Sequence, residues 1–184
     1  MGPEFGTFLH EVFEKIDLQK AGSATKQEMT SLCSPFVKKS QYASFEEKIG
    51  ELVFHAFHTP LPAGFCLKDV LPQKMSREMQ FLYFTDNNAL KGVMDLFFEH
   101  EGRYYLLDWK SNFLGNAQDD YAKECLEKQM RIHDYYLQEK IYRDGLQKYL
   151  ALFDCRPFQE IFGGTFYVFL RGLPDNGVIH VRDC

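Results

Sequence analysis

The chain predicts an α/β fold, a central β-sheet flanked by helices on both faces. Three observations carry that reading. Two neighbouring strand-like runs, residues 92–99 and 103–109, are apolar on both faces: Val93 and Phe97 on one, Met94, Leu96 and Phe98 on the other. Strands of that kind are covered from both sides. Runs with helical spacing precede and follow them. The length, 184 residues with 18 Phe and 10 Tyr, supplies one substantial core.

Residues 6–17 predict a helix, because Phe8, Leu9, Val12, Phe13 and Ile16 recur at helical spacing. His10 lies off the middle of that stripe and, alone, reads as a surface or core-edge histidine. Residues 19–43 are mixed, with short helical possibilities around 26–33. Ser44 opens the capping box S-F-E-E, with Glu47 three residues on, and predicts a helix over 45–57. Thr59-Pro60-Leu61-Pro62 ends it. Residues 77–85 read as a strand, and Asp86-Asn87-Asn88 as a turn. After the two central strands comes a polar loop, 111–120, with Gly115. A long helical stretch then covers 121–153 with a break. Within it Gln138 and Tyr142 are four apart and share a face; alone they read as an ordinary buried tyrosine with a polar neighbour. Gly163-Gly164 leads into a strand over 165–170, P-D-N-G at 174–177 forms a turn, and 178–181 a last short strand.

Composition narrows the function classes. Net charge is -5, from 21 basic and 26 acidic residues, without the basic surplus of a freestanding DNA-binding domain. Contact with nucleic acid would have to be local, metal-assisted or helped by another polypeptide. The five cysteines, Cys33, Cys66, Cys125, Cys155 and Cys184, form no C-x-x-C pair. That pattern predicts reduced thiols and a cytoplasmic setting, and argues against zinc. No run approaches the roughly 18 apolar residues of a membrane span. Met1 to Phe5 reads as a cloning scar ahead of a single domain over 6–184.

The chemistry concentrates between Gly92 and Asn112. Asp95 and Asp108 each interrupt an apolar run, and Lys110 follows two residues after the second acid. Burying an unpaired carboxylate costs several kcal/mol or shifts its pKa. Glu101-Gly102 suits a two-residue hairpin turn. That turn pairs His100 with Arg103 and, by the same register, sets Asp95 opposite Asp108 and Lys110 opposite Val93. Opposed side chains share a face with Cβ atoms about 5 Å apart. Two such carboxylates repel unless a cation lies between them, and Mg²⁺, which takes oxygen ligands, is the natural candidate. The same three residues also suit a plain ion cluster in which Lys110 neutralises the acids.

G-x-x-D, then D-x-K, then Q-x-x-x-Y on a following helix resembles the RecB-type signature of the PD-(D/E)XK nuclease superfamily. Four blocks in order strengthen the likeness: G-T-F-L-H, G-R-Y-Y-L-L-D-W-K-S-N, Y-Y-L-Q-E-K-I-Y and G-G-T-F-Y-V-F-L-R-G. They are similar to the C-terminal nuclease domain of bacterial RecB, the beta subunit of exonuclease V, and span residues 6–181. The resemblance implies a restriction-endonuclease-like core with a mixed sheet, and Mg²⁺-dependent hydrolysis of DNA phosphodiester bonds. It implies Asp95 and Asp108 as metal ligands, joined by His10 and the carbonyl of Trp109, with Lys110 as the catalytic lysine. Gln138 and Tyr142 would hold the site or the DNA, and Glu78 resembles a lesser acid on the preceding strand. The departure is Trp109, where the family has Tyr; the backbone carbonyl is unaffected. The implied partners are DNA strands delivered by a helicase, the RecC and RecD subunits, and the recombinase RecA. An interaction module contacting RecA and RecC, with little activity of its own, is the alternative.

Overall fold

In the computed structural model, which describes residues 2–86 and 88–182, the hairpin turn dictates the register. Glu101 and Gly102 both take positive φ, +49° and +77°, the geometry that matches strand twist in a two-residue turn. β2 (Ala89–His100) and β3 (Arg103–Lys110) therefore pair antiparallel from His100↔Arg103 to Leu96↔Leu107. β1 (Met75–Phe84) pairs antiparallel with β2, β4 (Phe162–Phe169) parallel with β3, and β5 (Val178–Val181) antiparallel with β4. The sheet is mixed, ordered β1-β2-β3-β4-β5.

Seven helices among the described residues cover it. α1 (Pro3–Lys15), α2 (Leu18–Ser23), α3 (Lys26–Val37) and α4 (Glu46–His58) contribute to one large cluster. It contains Leu9, Phe13, Val53 and Phe57 with Leu96, Phe98, Tyr105, Leu107 and Trp109 of the sheet. α5 (Lys123–Ile132), α6 (Tyr135–Leu150) and α7 (Phe158–Ile161) fill the crossover from β3 to β4. They bury the opposite face against Met94, Leu106, Tyr167 and Phe169. The expected architecture, a central mixed sheet between helix layers, is the one observed.

Several local expectations need correction. The region 19–43 holds two full helices, and the capping box is at Thr25–Glu28: the Thr25 hydroxyl accepts the Glu28 N–H and the Glu28 carboxylate accepts the Thr25 N–H. Ser44 caps nothing. It lies in a 3-10 turn over Ala43–Phe45, so α4 starts one residue late with Phe45 as an uncapped N-cap. The long stretch over 121–153 opens with a 3-10 turn, Gln118–Tyr121, and breaks at Asp134, which is left-handed at φ +52°. Gly163 and Gly164 lie inside β4 rather than before it. A Cβ on Gly163 would fall 2.0 Å from Tyr105 Cε1, so the strand needs a residue without a side chain there. Of the turn Asp86-Asn87-Asn88, Asn87 lies outside the described residues, as does Cys184. Cys33, Cys66, Cys125 and Cys155 are free thiols. Among the described residues no helix is long and apolar enough to cross a membrane.

One irregularity positions the site. β1 pairs with β2 at Arg77↔Leu96 and Met79↔Met94, but Glu78 and Asp95 between them do not pair. Glu78 is left-handed, at φ +50°. Both strands change faces across this point. Met75, Leu96 and Phe98 pack with the α1–α4 cluster, whereas Met79, Phe81 and Met94 pack with the α6–α7 cluster. The β2–β3 ladder stops just before Asp95 and Asp108. The expected register therefore holds, but the two acids face a gap rather than a hydrogen-bonded pair. Val93 pairs with Gln80 on β1 instead of lying in a ladder with Lys110.

Candidate functional site

β3 alternates regularly, so Asp108 and Lys110 share the face toward α5 and α6. Lys110 Nζ lies 2.6 Å from Asp108 Oδ2. That contact is a buried ion pair, and it pulls the Asp108 carboxyl down against the effect of burial. Gln138, one turn into α6, ties the pair together. Its Nε2 donates to Asp108 Oδ1 at 2.8 Å and its Oε1 accepts from Lys110 Nζ at 3.2 Å. The ammonium also rests on the Tyr135 ring face, 3.7 Å from its centroid, with Tyr167 at 5.4 Å. The Tyr167 hydroxyl donates to the Tyr135 carbonyl at 2.9 Å and fixes the start of α6 against β4.

Asp95 is reached from the other helix layer. Its Oδ2 accepts the Trp109 N–H at 2.8 Å, so the side chain takes a backbone donor that a continuous ladder would have used. Its Oδ1 lies 3.4 Å from His10 Nδ1. The Trp109 indole stacks on Phe13, centroids 4.1 Å apart, and this contact seats α1 so that His10, one turn earlier, meets Asp95. Glu78 completes the group. One ligand atom each from His10, Glu78 and Asp95 lie within 4.8 Å of one another. The left-handed backbone at Glu78 is uncommon for a residue with a side chain, and such outliers cluster at functional sites.

The electrostatics are those of crowded acids. Burial, and then the charge of Asp95, hold the Asp108 carboxyl above the usual carboxylate range, against the pull of Lys110. Burial and Asp95 likewise raise Glu78. The hydrogen bond to Asp95 raises His10, outweighing its burial. The group His10, Glu78 and Asp95, two carboxylates and one imidazole with no thiolate among them, fits a hard divalent cation, and Asp108 stands outside it, paired with Lys110.

The sequence-predicted residues fall into two neighbouring groups: His10 with Asp95, and Asp108 with Lys110 and Gln138. Tyr142 stands one turn behind Gln138. Burial raises its phenol while Gln138 lowers it, so the hydroxyl faces that amide. Trp109 contributes its N–H to Asp95, while its indole is core. Glu78, ranked low from sequence, joins the centre; its position opposite Asp95 in the β1–β2 register is the signal that would have promoted it. Tyr135 and Tyr167 carried no such signal, because they meet Lys110 only through tertiary packing. Gly92, the glycine of G-x-x-D, has a packing reason. A Cβ there would lie 2.6 Å from Phe81 Cζ and 2.9 Å from Tyr142 Cε1.

Fold and site together define a class: an α/β domain with a restriction-endonuclease-like core, bearing an acid, histidine and lysine centre between two helix layers. Comparison with known proteins narrows it. The chain is 33% identical over 180 residues, 96% of its length, to RecBCD enzyme subunit RecB of Chlamydia pneumoniae. It is 31% identical to that subunit from Haemophilus influenzae across 98% of the chain, and 43% identical to the Escherichia coli subunit across 50%. No family model matches. The chain spans 17% of the length of the Chlamydia pneumoniae relative. It belongs to the RecB family as a RecB-type domain.

Proposed function

We propose that this domain is the Mg²⁺-dependent nuclease part of a RecBCD-type helicase-nuclease, hydrolysing DNA phosphodiester bonds of the exonuclease V kind. The observation that carries the reading is the convergence of His10, Glu78 and Asp95 beside the buried Asp108–Lys110 pair. His10, Glu78, Asp95 and Asp108 would hold the cation, and the Trp109 carbonyl is a further proposed donor. When bound, Mg²⁺ supplies polarisation of the phosphoryl oxygen and neutralisation of the leaving oxygen. Asp95 is oriented for this by the Trp109 N–H and His10, and Asp108 by Gln138. Lys110 is held over Tyr135, where its ammonium can orient the attacking water or stabilise charge developing on phosphorus. Tyr142 backs Gln138. The acidic balance of the chain suits strands delivered by a helicase, with RecC and RecD in the assembly and the protein working in the cytoplasm.

A second reading, contact with RecC and RecA, is favoured by the end of α6. There Tyr149, Leu152 and Phe153 are exposed, Leu152 by 79%. Apolar surface of this kind marks interaction sites. The nuclease reading is tested by incubating the domain with single-stranded DNA and Mg²⁺ beside an Asp108→Ala variant. The parent should degrade DNA and the variant should lose at least about 100-fold in rate, the scale of removing one electrostatic group. Equal degradation by both, or none by either across several divalent metals, would sink the reading.

A further inference from the structure

Beyond the acid cluster, the ends of β3 and β4 carry a basic feature that the proposed chemistry does not use. Lys110 pairs with Phe169 at the end of the parallel ladder. Past that point Ser111 follows β3, and Arg171 lies in the 3-10 turn Leu170–Gly172 that follows β4. Arg171 Nε donates to the Ser111 carbonyl at 3.1 Å, so the guanidinium is tethered to the peptide that follows Lys110. It lies between two phenyl rings, 5.1 Å from the centroid of Phe5 and 5.5 Å from that of Phe113. Among the described residues no carboxylate forms an ion pair with it. Its Nη2 is buried and has no acceptor.

A buried guanidinium nitrogen without a partner is costly, and one such group in a folded protein calls for an explanation such as an absent ion or ligand. A pocket of about 200 Å³ opens beside it, lined by Phe113, Gly115, Asn116, Gln118, Tyr121 and Arg171. The adjoining turn carries two acids, Asp119 and Asp120, and the second accepts the Ala117 N–H at 2.9 Å. Phe113 is 56% exposed at the rim. Ligands in open α/β sheets bind beyond the carboxyl ends of the strands, and this pocket lies there, with Phe113, three positions past Lys110, in its wall.

We propose that this pocket is a strand-binding subsite: Arg171 takes a phosphodiester group of single-stranded DNA and Phe113 stacks on a neighbouring base. Arginine presents a planar fork matched to phosphate oxygens, and exposed aromatics stack bases without regard to sequence. A carboxylate ligand would satisfy the charge but would leave Phe113 without a role. The choice of DNA rests on the nuclease reading, whereas the subsite itself is tested by binding alone.

The experiment is fluorescence anisotropy of a labelled oligodeoxythymidylate with this chain in EDTA, where cleavage plays no part. Arg171→Ala should weaken binding about tenfold and reduce the slope of log affinity against log salt by about 0.7, the value of one lost single-strand phosphate contact. Arg171→Lys should keep the slope yet weaken binding, and Phe113→Ala, at an exposed position, should weaken binding with the slope intact. Should Arg171→Ala fail to fold by circular dichroism, the other two variants decide. Unchanged affinity in the variants that fold, or no binding by the parent, overturns the subsite. Cleavage by the parent with unchanged variant binding removes the subsite and leaves the nuclease reading. Weakened variant binding without any parental cleavage does the reverse.

Discussion

Replacing Gly92 with alanine adds one methyl group where three atoms already stand. The new Cβ would lie 2.6 Å and 2.7 Å from Phe81 Cζ and Cε1, and 2.9 Å from Tyr142 Cε1. Phe81 is held between two rings, Tyr142 edge-on with centroids 5.2 Å apart and Tyr83 stacked on its flank, so it cannot simply retreat. Two effects oppose each other. Gly92 is not left-handed, so alanine would restrict the unfolded chain and stabilise by about 0.4–1 kcal/mol. Overpacking costs about 1–3 kcal/mol. The second should win, for a net loss of about 0.5–2 kcal/mol, or about 1–8 °C in melting temperature at this chain length. Urea denaturation followed by circular dichroism measures it. Phe81→Leu in the same chain should relieve the crowding, giving a coupling of about 1 kcal/mol in a double-mutant cycle. Nuclease rate should fall with Gly92→Ala as well, since the displaced Tyr142 ring backs Gln138. A Gly92→Ala protein as stable as its parent, or more so, would refute the packing account of this glycine.

Three further expectations follow from the geometry. His10→Ala should weaken Mg²⁺ binding in calorimetry; unchanged affinity would remove His10 from the centre. Tyr135→Leu should lower the maximal rate of DNA hydrolysis with little change in KM, and Tyr135→Phe should restore most of it, because the ring face rather than the hydroxyl meets Lys110; equal loss in both would point to a role for the phenol. Arg156 hydrogen-bonds and pairs with Asp154, holding that carboxyl down to about 2, and reaches the Gly102 carbonyl at 3.0 Å. A carboxyl depressed from the ordinary 3.8 stabilises the fold in full above that value and loses its contribution as pH falls toward 2. Arg156→Gln should therefore lose less stability than the parent between pH 5 and pH 2; identical acid profiles by urea midpoint would contradict this.

The legible part of the structure was local. Register followed from Glu101-Gly102 because glycine tolerates the positive φ of a two-residue turn, and the register brought Asp95 toward Asp108. The break at Glu78 was not legible, because nothing in R-E-M-Q-F signals a left-handed glutamate in a strand; tertiary demand at the site overrides the local preference. The two capping boxes show the same limit. T-K-Q-E and S-F-E-E match the pattern equally, but the 3-10 turn leading into α4 leaves Ser44 misplaced and only Thr25 performs. His10, Gln138 and Tyr142 were indistinct as single residues and became meaningful only through the resemblance. Tyr135 and Tyr167 stand inside two of the matched blocks, but their seat for Lys110 was not legible because it joins α6 to β4.

The gap beside Asp95 is filled from both helix layers, by His10 on α1 and by Gln138 on α6, which are 128 residues apart in the chain. During synthesis the histidine leaves the ribosome long before the glutamine, and the three strands between them must be in place before the two can face one gap. On the proposed reading, a half-made or proteolytically clipped chain is harmless to DNA, because the cutting centre exists only once α6 has closed over the sheet. Completeness of folding is itself the safety catch.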